Sequence, residues 1–187
     1  MASGYVDVPH STYAEWRANT INKEYDLDGH YGCQCWDFAS LFWRNVGFPA
    51  GYPLTGNHYA YGCWTLKREQ NKGDKFDLIE NLSQVKRGDV VVLDHNRFAG
   101  DKAGHIAFAD EDYNGTTSMR LLGQNQAHPS ATTGEKVTAY TMSVSKFLGA
   151  FRYKGWEHPT PPPTPTEKKK HKFPFYLYAN KWRMNGR

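Results

Sequence analysis

The sequence predicts an α+β fold, with helices early in the chain and an antiparallel sheet later. Helical spacing of apolar residues is confined to positions before residue 71, and is strongest from Cys35 to Asn45. After Arg87 the apolar residues fall instead into short runs bounded by Gly, Asn, Asp and Ser. These runs follow one another without helices between them, which suits a meander rather than βαβ units.

Taken in order, Thr12 to about Lys23 reads as a helix behind a Ser11/Thr12 cap, with Tyr13, Trp16 and Ile21 turned inward. Cys35 to Asn45 reads as a second helix, with Phe38, Ala39, Leu41 and Phe42 as its apolar face and Gly47 ending it. Residues 57–70 form a third helical candidate. Arg87-Gly88-Asp89 is a turn, and Val90-Val91-Val92-Leu93 a short buried strand. Residues 105–109, 119–124, 136–142 and 150–153 read as further strands.

The 187 residues, 39% of them hydrophobic and 15% aromatic, support one domain of ordinary size. No run reaches the length of a transmembrane helix, and the N-terminus lacks the basic and apolar regions of a secretory signal. A cytosolic origin is expected, with action outside requiring release by another protein. Composition breaks at Glu157. The expected organisation is a domain over 1–156, a Pro/Thr-rich linker over 157–166 and a short basic–aromatic tail over 167–187. From Glu157 onward there are seven Lys/Arg against two Asp/Glu; the 16 basic and 17 acidic residues before it leave a nearly neutral domain. The net charge of +4 therefore belongs to the tail and does not mark the domain as a nucleic-acid binder.

Three cysteines, Cys33, Cys35 and Cys63, are too few for a disulfide framework. Cys33 and Cys35 are too close in sequence for an unstrained bridge, and a cytosolic origin argues against one from Cys33 to Cys63. Zinc held by the three thiols with His30 or His58 is a rival reading, although the spacing is not a common one.

Cys35 opens a predicted helix, whose amide-rich end favours a thiolate. His105, at the head of an apolar strand, supplies an imidazole that can accept the thiol proton and return it to a leaving amine. Asn125, at the end of the next strand, can hold the far ring nitrogen. The Cys35 N–H and the Gln34 side chain can together receive an oxyanion. Each residue also has an ordinary reading: a buried small cysteine, a structural histidine, an asparagine in a turn. The order Cys, His, Asn, each beside a regular element, points to a thiol hydrolase.

At these residues the chain resembles the CHAP family of cysteine- and histidine-dependent amidohydrolases/peptidases, within the NlpC/P60 papain-like superfamily. The resemblance is carried by Tyr31-Gly32-Cys33-Gln34-Cys35-Trp36-Asp37, Lys86-Arg87-Gly88-Asp89-Val90-Val91-Val92, Gly104-His105-Ile106-Ala107 and Gly123-Gln124-Asn125, and spans about residues 10–155. It is greatest to the CHAP domains of endolysins from phages of Gram-positive bacteria. It implies a papain-like fold with N-terminal helices on a central antiparallel sheet. It further implies Cys35 as nucleophile, His105 as base, Asn125 as orienting residue, and hydrolysis of a peptidoglycan amide bond. An N-acetylmuramoyl-L-alanine amidase and a non-catalytic, calcium-dependent wall-binding module are the alternatives. Several phage CHAP domains carry a glutamate two positions before the asparagine; here that position is Gly123.

Asp26-Leu27-Asp28-Gly29-His30 alternates carboxylate and spacer as a calcium loop does, and Asp37 adds a third carboxylate. Backbone carbonyls of His30 and Gly32 can complete part of an oxygen shell. The plain reading is an acidic surface turn with Asp37 at a helix N-terminus. The resemblance implies structural Ca2+ here, since the thiol chemistry itself needs no metal. The expected partner is Gram-positive peptidoglycan, reached from the host cytoplasm after release by a separate holin. A monomer is expected, with no nucleic acid bound and no stable membrane insertion. The tail suits an anionic wall polymer or simple disorder.

Overall fold

A computed structural model describes residues 5–97, 100–130 and 132–156. The linker and tail expected from residue 157 onward lie outside these. Helix α1 spans Tyr13–Thr20 and α2 Cys35–Asn45, followed by single turns α3, Gly62–Thr65, and α4, Lys67–Gln70. The strands are β1 Phe76–Ile79, β2 Val90–Leu93, β3 His105–Ala109, β4 Ser118–Gly123, β5 Thr138–Ser143 and β6 Phe147–Tyr153. They form one antiparallel sheet in the order β1-β6-β2-β3-β4-β5. The architecture is the α+β arrangement that the sequence predicts.

Local chemistry explains where the elements differ from expectation. Helix α1 starts on its Thr12 cap, whose hydroxyl accepts from Glu15 N at 3.1 Å, but stops at Thr20 rather than Lys23. There Asn22 turns left-handed (φ 66°), and residues 22–23 pair with Val137 through two backbone bonds of 2.8 Å. The 57–70 candidate breaks into two turns at Leu66 (φ −100°, ψ 30°). Strand β1 was not anticipated; its four residues gain their partners from β6, far along the chain.

The main core lies between α1, α2 and one face of the sheet. Phe108 of β3 packs on Phe38 and Phe42 at 5.2 and 5.1 Å between ring centroids, and Trp16 covers them at 5.2–5.8 Å. Every residue of α2 from Asp37 to Trp43 is buried. Burying four such aromatic side chains contributes on the order of 10 kcal/mol of transfer free energy, enough to hold the head of α2 fixed against β3. A smaller cluster of Val91, Leu93, Ala107, Ala109, Leu121 and Ala150 covers the opposite sheet face. Below the sheet, the fully buried Asp89 of the Arg-Gly-Asp turn is neutralised by Arg152 through two bonds of 2.8 Å. A buried carboxylate needs such a partner, so this turn is an anchor of β2 to β6.

Candidate active site

The site forms where β3 and β4 part. In β3 the N–H and C=O of Ala109 point toward the start of β2, as the Ala109–Asp89 and Gly88–Ala109 bonds show. By alternation, Ile106 and Phe108 point toward β4. The β3–β4 ladder includes only Phe108↔Leu122 and Ala109↔Leu121, so β4 has swung away at Ile106. Its amide faces the Cys35 thiol at the head of α2, near enough to favour the thiolate. The sulfur is thus seated on the peptide unit joining His105 to Ile106.

Opposing influences act on the thiol. Burial pushes it above its ordinary range, while the Ile106 amide, the Arg97 guanidinium and the Trp36 amide pull it down and Asp37 pushes it up. His105 is 1% exposed, and burial drives its imidazole down to about 3, with Arg97 adding to the effect. The resting pair is therefore a neutral thiol and a neutral imidazole, not the ion pair that a neighbouring imidazolium would give. No hydrogen bond joins the sulfur to the imidazole among the described residues. The His105 Nε2 instead meets Gln126 Oε1 at 3.1 Å.

Two features hold the chain ahead of His105. Gly104 has φ 68°, and a Cβ there would stand 2.5 Å from Leu93 O, so the residue before the histidine must be glycine. Asp101, 6% exposed, accepts from the Gly104 amide at 3.1 Å and from Arg97 Nε at 2.7 Å, and Arg97 Nη2 reaches Gly104 O at 2.9 Å. Arg97 holds the Asp101 carboxyl below the usual range against the burial that would raise it. The sequence reading missed Arg97, Asp101 and Gln126. Polar residues on loops carry no periodicity by which to find them.

Asn125 does not reach His105. Its Oδ1 accepts from Ser130 N at 2.6 Å, which sets the amide and leaves Nδ2 to donate to Gln34 Oε1 and to Ser130 O at 2.9 Å. The orienting role expected of Asn125 is therefore corrected: it braces the loop that leads to the nucleophile. Gln34 is corrected too. With its Oε1 facing Asn125, its Nε2 donates to Tyr31 O and to Ser130 O, leaving no hydrogen for an oxyanion. The Cys35 N–H, in the first turn of α2, has no acceptor among the described residues. Gln124, fully buried, binds Tyr25 N and O at 3.1 and 2.9 Å. Three successive amides thus tie the acidic segment, the nucleophile loop and the histidine to the end of β4.

The other two thiols stand apart from His105, and the Cys33 thiol is raised by burial and by Glu24, Asp26 and Asp37. Cys33 is bridged to residues 133–135 through Cys33 N to Thr133 O and Glu135 N to Cys33 O, at 3.0 and 3.2 Å. Cys63 is fully buried, and burial raises its thiol far above the ordinary range. No disulfide joins the three thiols, and they form no zinc-like cluster among the described residues.

The cluster with metal-ligand geometry is Asp26, Asp28 and Asp37, whose carboxylate oxygens lie within 4.8 Å of one another. Asp37 is 1% exposed and accepts from Leu27 N and Gln34 N, both at 2.9 Å. Even so, burial raises it to about 7, with Asp28 and Asp26 adding to the rise. Asp26 and Asp28 accept the Gly29 and His30 amides at 2.8 Å. The His30 N–H thus braces the Asp28 carboxylate. Gly32 lies where a Cβ would meet Thr133 O at 2.2 Å. An all-oxygen set of three carboxylates suits a hard divalent cation.

Comparison with known proteins places the chain in a family. A curated relative, a D-alanyl-L-alanine endopeptidase of Streptococcus phage B30, is 31% identical over 116 residues, 62% of this chain and 25% of that protein. The chain therefore spans about a quarter of the length of that relative. The crystal structure of a wild-type endolysin, LysIME-EF1, matches with a TM-score of 0.57 at 24% identity, over 78% of this chain and 63% of that one, and so shows a shared fold. A family model described as CHAP domain covers residues 24–125, from just before the acidic segment through Cys35 and His105 to Asn125. With more than half of its length matched, this chain belongs to the CHAP domain family.

Proposed function

We propose that this chain is a peptidoglycan hydrolase that cleaves an amide bond in the stem peptide or cross-bridge of Gram-positive walls, with Cys35 as nucleophile and His105 as base. One observation carries the reading: the Cys35 sulfur is seated at the head of α2 on the amide adjoining His105. His105 Nδ1 has no partner among the described residues and is the ring nitrogen left to take a proton. As the sulfur attacks the carbonyl, its proton passes to Nδ1; the imidazolium then protonates the leaving amine, and water resolves the thioester. Arg97 favours the developing thiolate, and the Cys35 N–H at the helix end receives the oxyanion.

The wall substrate is supported by the names of two similar proteins, a phage endopeptidase and an endolysin. An endopeptidase exposes an amino terminus inside the stem or cross-bridge and leaves L-alanine on muramic acid, whereas an N-acetylmuramoyl-L-alanine amidase frees the amino group of that L-alanine and separates the whole stem from its sugar. Mass spectrometry of the products of purified walls is expected to show peptides cut within the stem or cross-bridge, with L-alanine still attached to muramic acid. Intact stems freed from muramic acid would identify the amidase instead.

Asp26, Asp28 and Asp37, with carbonyls of His30 and Gly32, are proposed to hold Ca2+. The ion would neutralise the carboxylates and pin the segment leading to Cys35. The domain over 1–156 is proposed to carry the chemistry, with release to the wall by a separate holin. No described helix is long and apolar enough to cross a membrane. Deleting residues 158–187 is expected to leave cleavage of soluble wall fragments within about twofold of the full chain, since Cys35, His105 and Gln126 all precede the composition break at Glu157. Loss of soluble-fragment turnover would move part of the site into the tail.

A further inference from the structure

Family resemblance directs attention to positions 123 and 125 for the group that steers the histidine. In this chain neither can serve, because one is glycine and the other is committed to Gln34 and Ser130. We propose that Gln126 is the positioning residue for His105, and that Gly123 is glycine because the Gln126 amide occupies the space a side chain there would need. This rests on the hydrolase reading above.

The orientation of the Gln126 amide follows from its surroundings. Its Nε2 lies 2.9 Å from Leu121 O and 2.7 Å from Thr138 O, and backbone carbonyls can only accept. Both amide hydrogens are thus used, and Oε1 must face the imidazole, 3.1 Å from Nε2. An oxygen that can only accept fixes the proton on Nε2, which leaves the Nδ1 lone pair to receive the thiol proton. Gln126 is 5% exposed, so bulk water does not compete for this contact.

The space is equally specific. A Cβ on residue 123 would lie 2.9 Å from Gln126 Oε1 and 2.9 Å from Ala107 Cβ. Ordinary strand alternation would turn residue 126 away from the face of residue 123. The left-handed backbone of Asn125 (φ 54°) breaks that alternation, and Glu135 fixes the turn by accepting from the amides of Gln126, Ala127 and His128 at 2.6–3.0 Å. The acceptor comes from beyond the turn and lies one residue outside the segment matched by the family. It is a neutral amide, so it sets tautomer and ring angle without stabilising an imidazolium by charge.

The test is 15N imidazole NMR on the full chain, with His105 signals assigned by their loss in His105→Ala, alongside kinetics on purified walls. The proton is expected on Nε2 in the parent. In Gln126→Ala that fixed tautomer is lost and kcat falls about 10- to 100-fold, the scale of a mispositioned general base, with KM within twofold. A parent proton on Nδ1 would overturn the proposal, as would a Gln126→Ala protein that keeps either the tautomer or kcat. If that variant does not fold, the parent tautomer decides alone. Should the parent fail to cleave walls, the hydrolase reading falls, while the tautomer still tests what Gln126 does to His105.

Discussion

Cys35→Ala is expected to abolish clearing of purified Gram-positive walls, lowering the rate by about 10⁴-fold or more, as removal of a nucleophile does in other hydrolases. No second thiol can substitute. Burial raises the Cys33 thiol, with Glu24, Asp26 and Asp37 adding to the rise, and burial raises the Cys63 thiol far from any reactive range. The folded domain should survive, because alanine keeps the helix start and removes only the sulfur. The Ile106 amide, in the gap between β3 and β4, loses the sulfur it faces, which is a small change to the core. The informative result is thus complete loss of turnover with a melting temperature lowered by only a few degrees. His105→Ala should match it in rate. Wall clearing by Cys35→Ala at the parent rate would leave the calcium-dependent wall-binding module as the better account.

The fold was legible wherever a short stretch of chain decides its own conformation. Helix α2 runs from Cys35 to Asn45 as its apolar spacing indicates, and β2 and β3 occupy the two most apolar runs. The end of α1 was not legible, since it depends on Val137, more than a hundred residues later. The same distinction separates the parts of the site. Cys35 and His105 stand at the head of a helix and of a strand, so patterning finds them. The role of Asn125 depends on which of three adjacent amides faces the imidazole. That depends in turn on one left-handed residue and on Glu135 fixing the turn. Glycine at position 123 was the one available signal: a missing side chain beside a buried histidine calls for a replacement nearby in space.

In chelator, the stability of Asp37→Asn relative to the parent is expected to grow as pH rises from about 4 to 7. Burial, with Asp28 and Asp26 alongside, raises Asp37 to about 7, above the ordinary 3.8 of an unfolded aspartate. A raised carboxyl pKa means that the folded state binds the proton more tightly. The stability it confers is present in full below about 4 and is lost as pH rises through about 7. A shift of this size corresponds to on the order of 4 kcal/mol, or roughly 10 °C in Tm for a domain of this length. His105 works the other way: burial lowers it to about 3, so the folded state gains stability as pH rises to the usual histidine range. In the parent the two trends nearly cancel between pH 4 and 6.5, and comparison with Asp37→Asn removes the histidine from the difference. Asparagine also sets an amide hydrogen against the Leu27 or Gln34 amide, a constant cost, so the change with pH carries the information. Calcium should invert the order, because the cation takes the place of the proton among three carboxylates and the parent becomes the more stable protein at pH 7.5. Asp28→Ala should then lower Tm with calcium present and have little effect in chelator. A stability difference that is flat with pH in chelator, or unchanged by calcium, would reduce the cluster to an acidic turn capping α2.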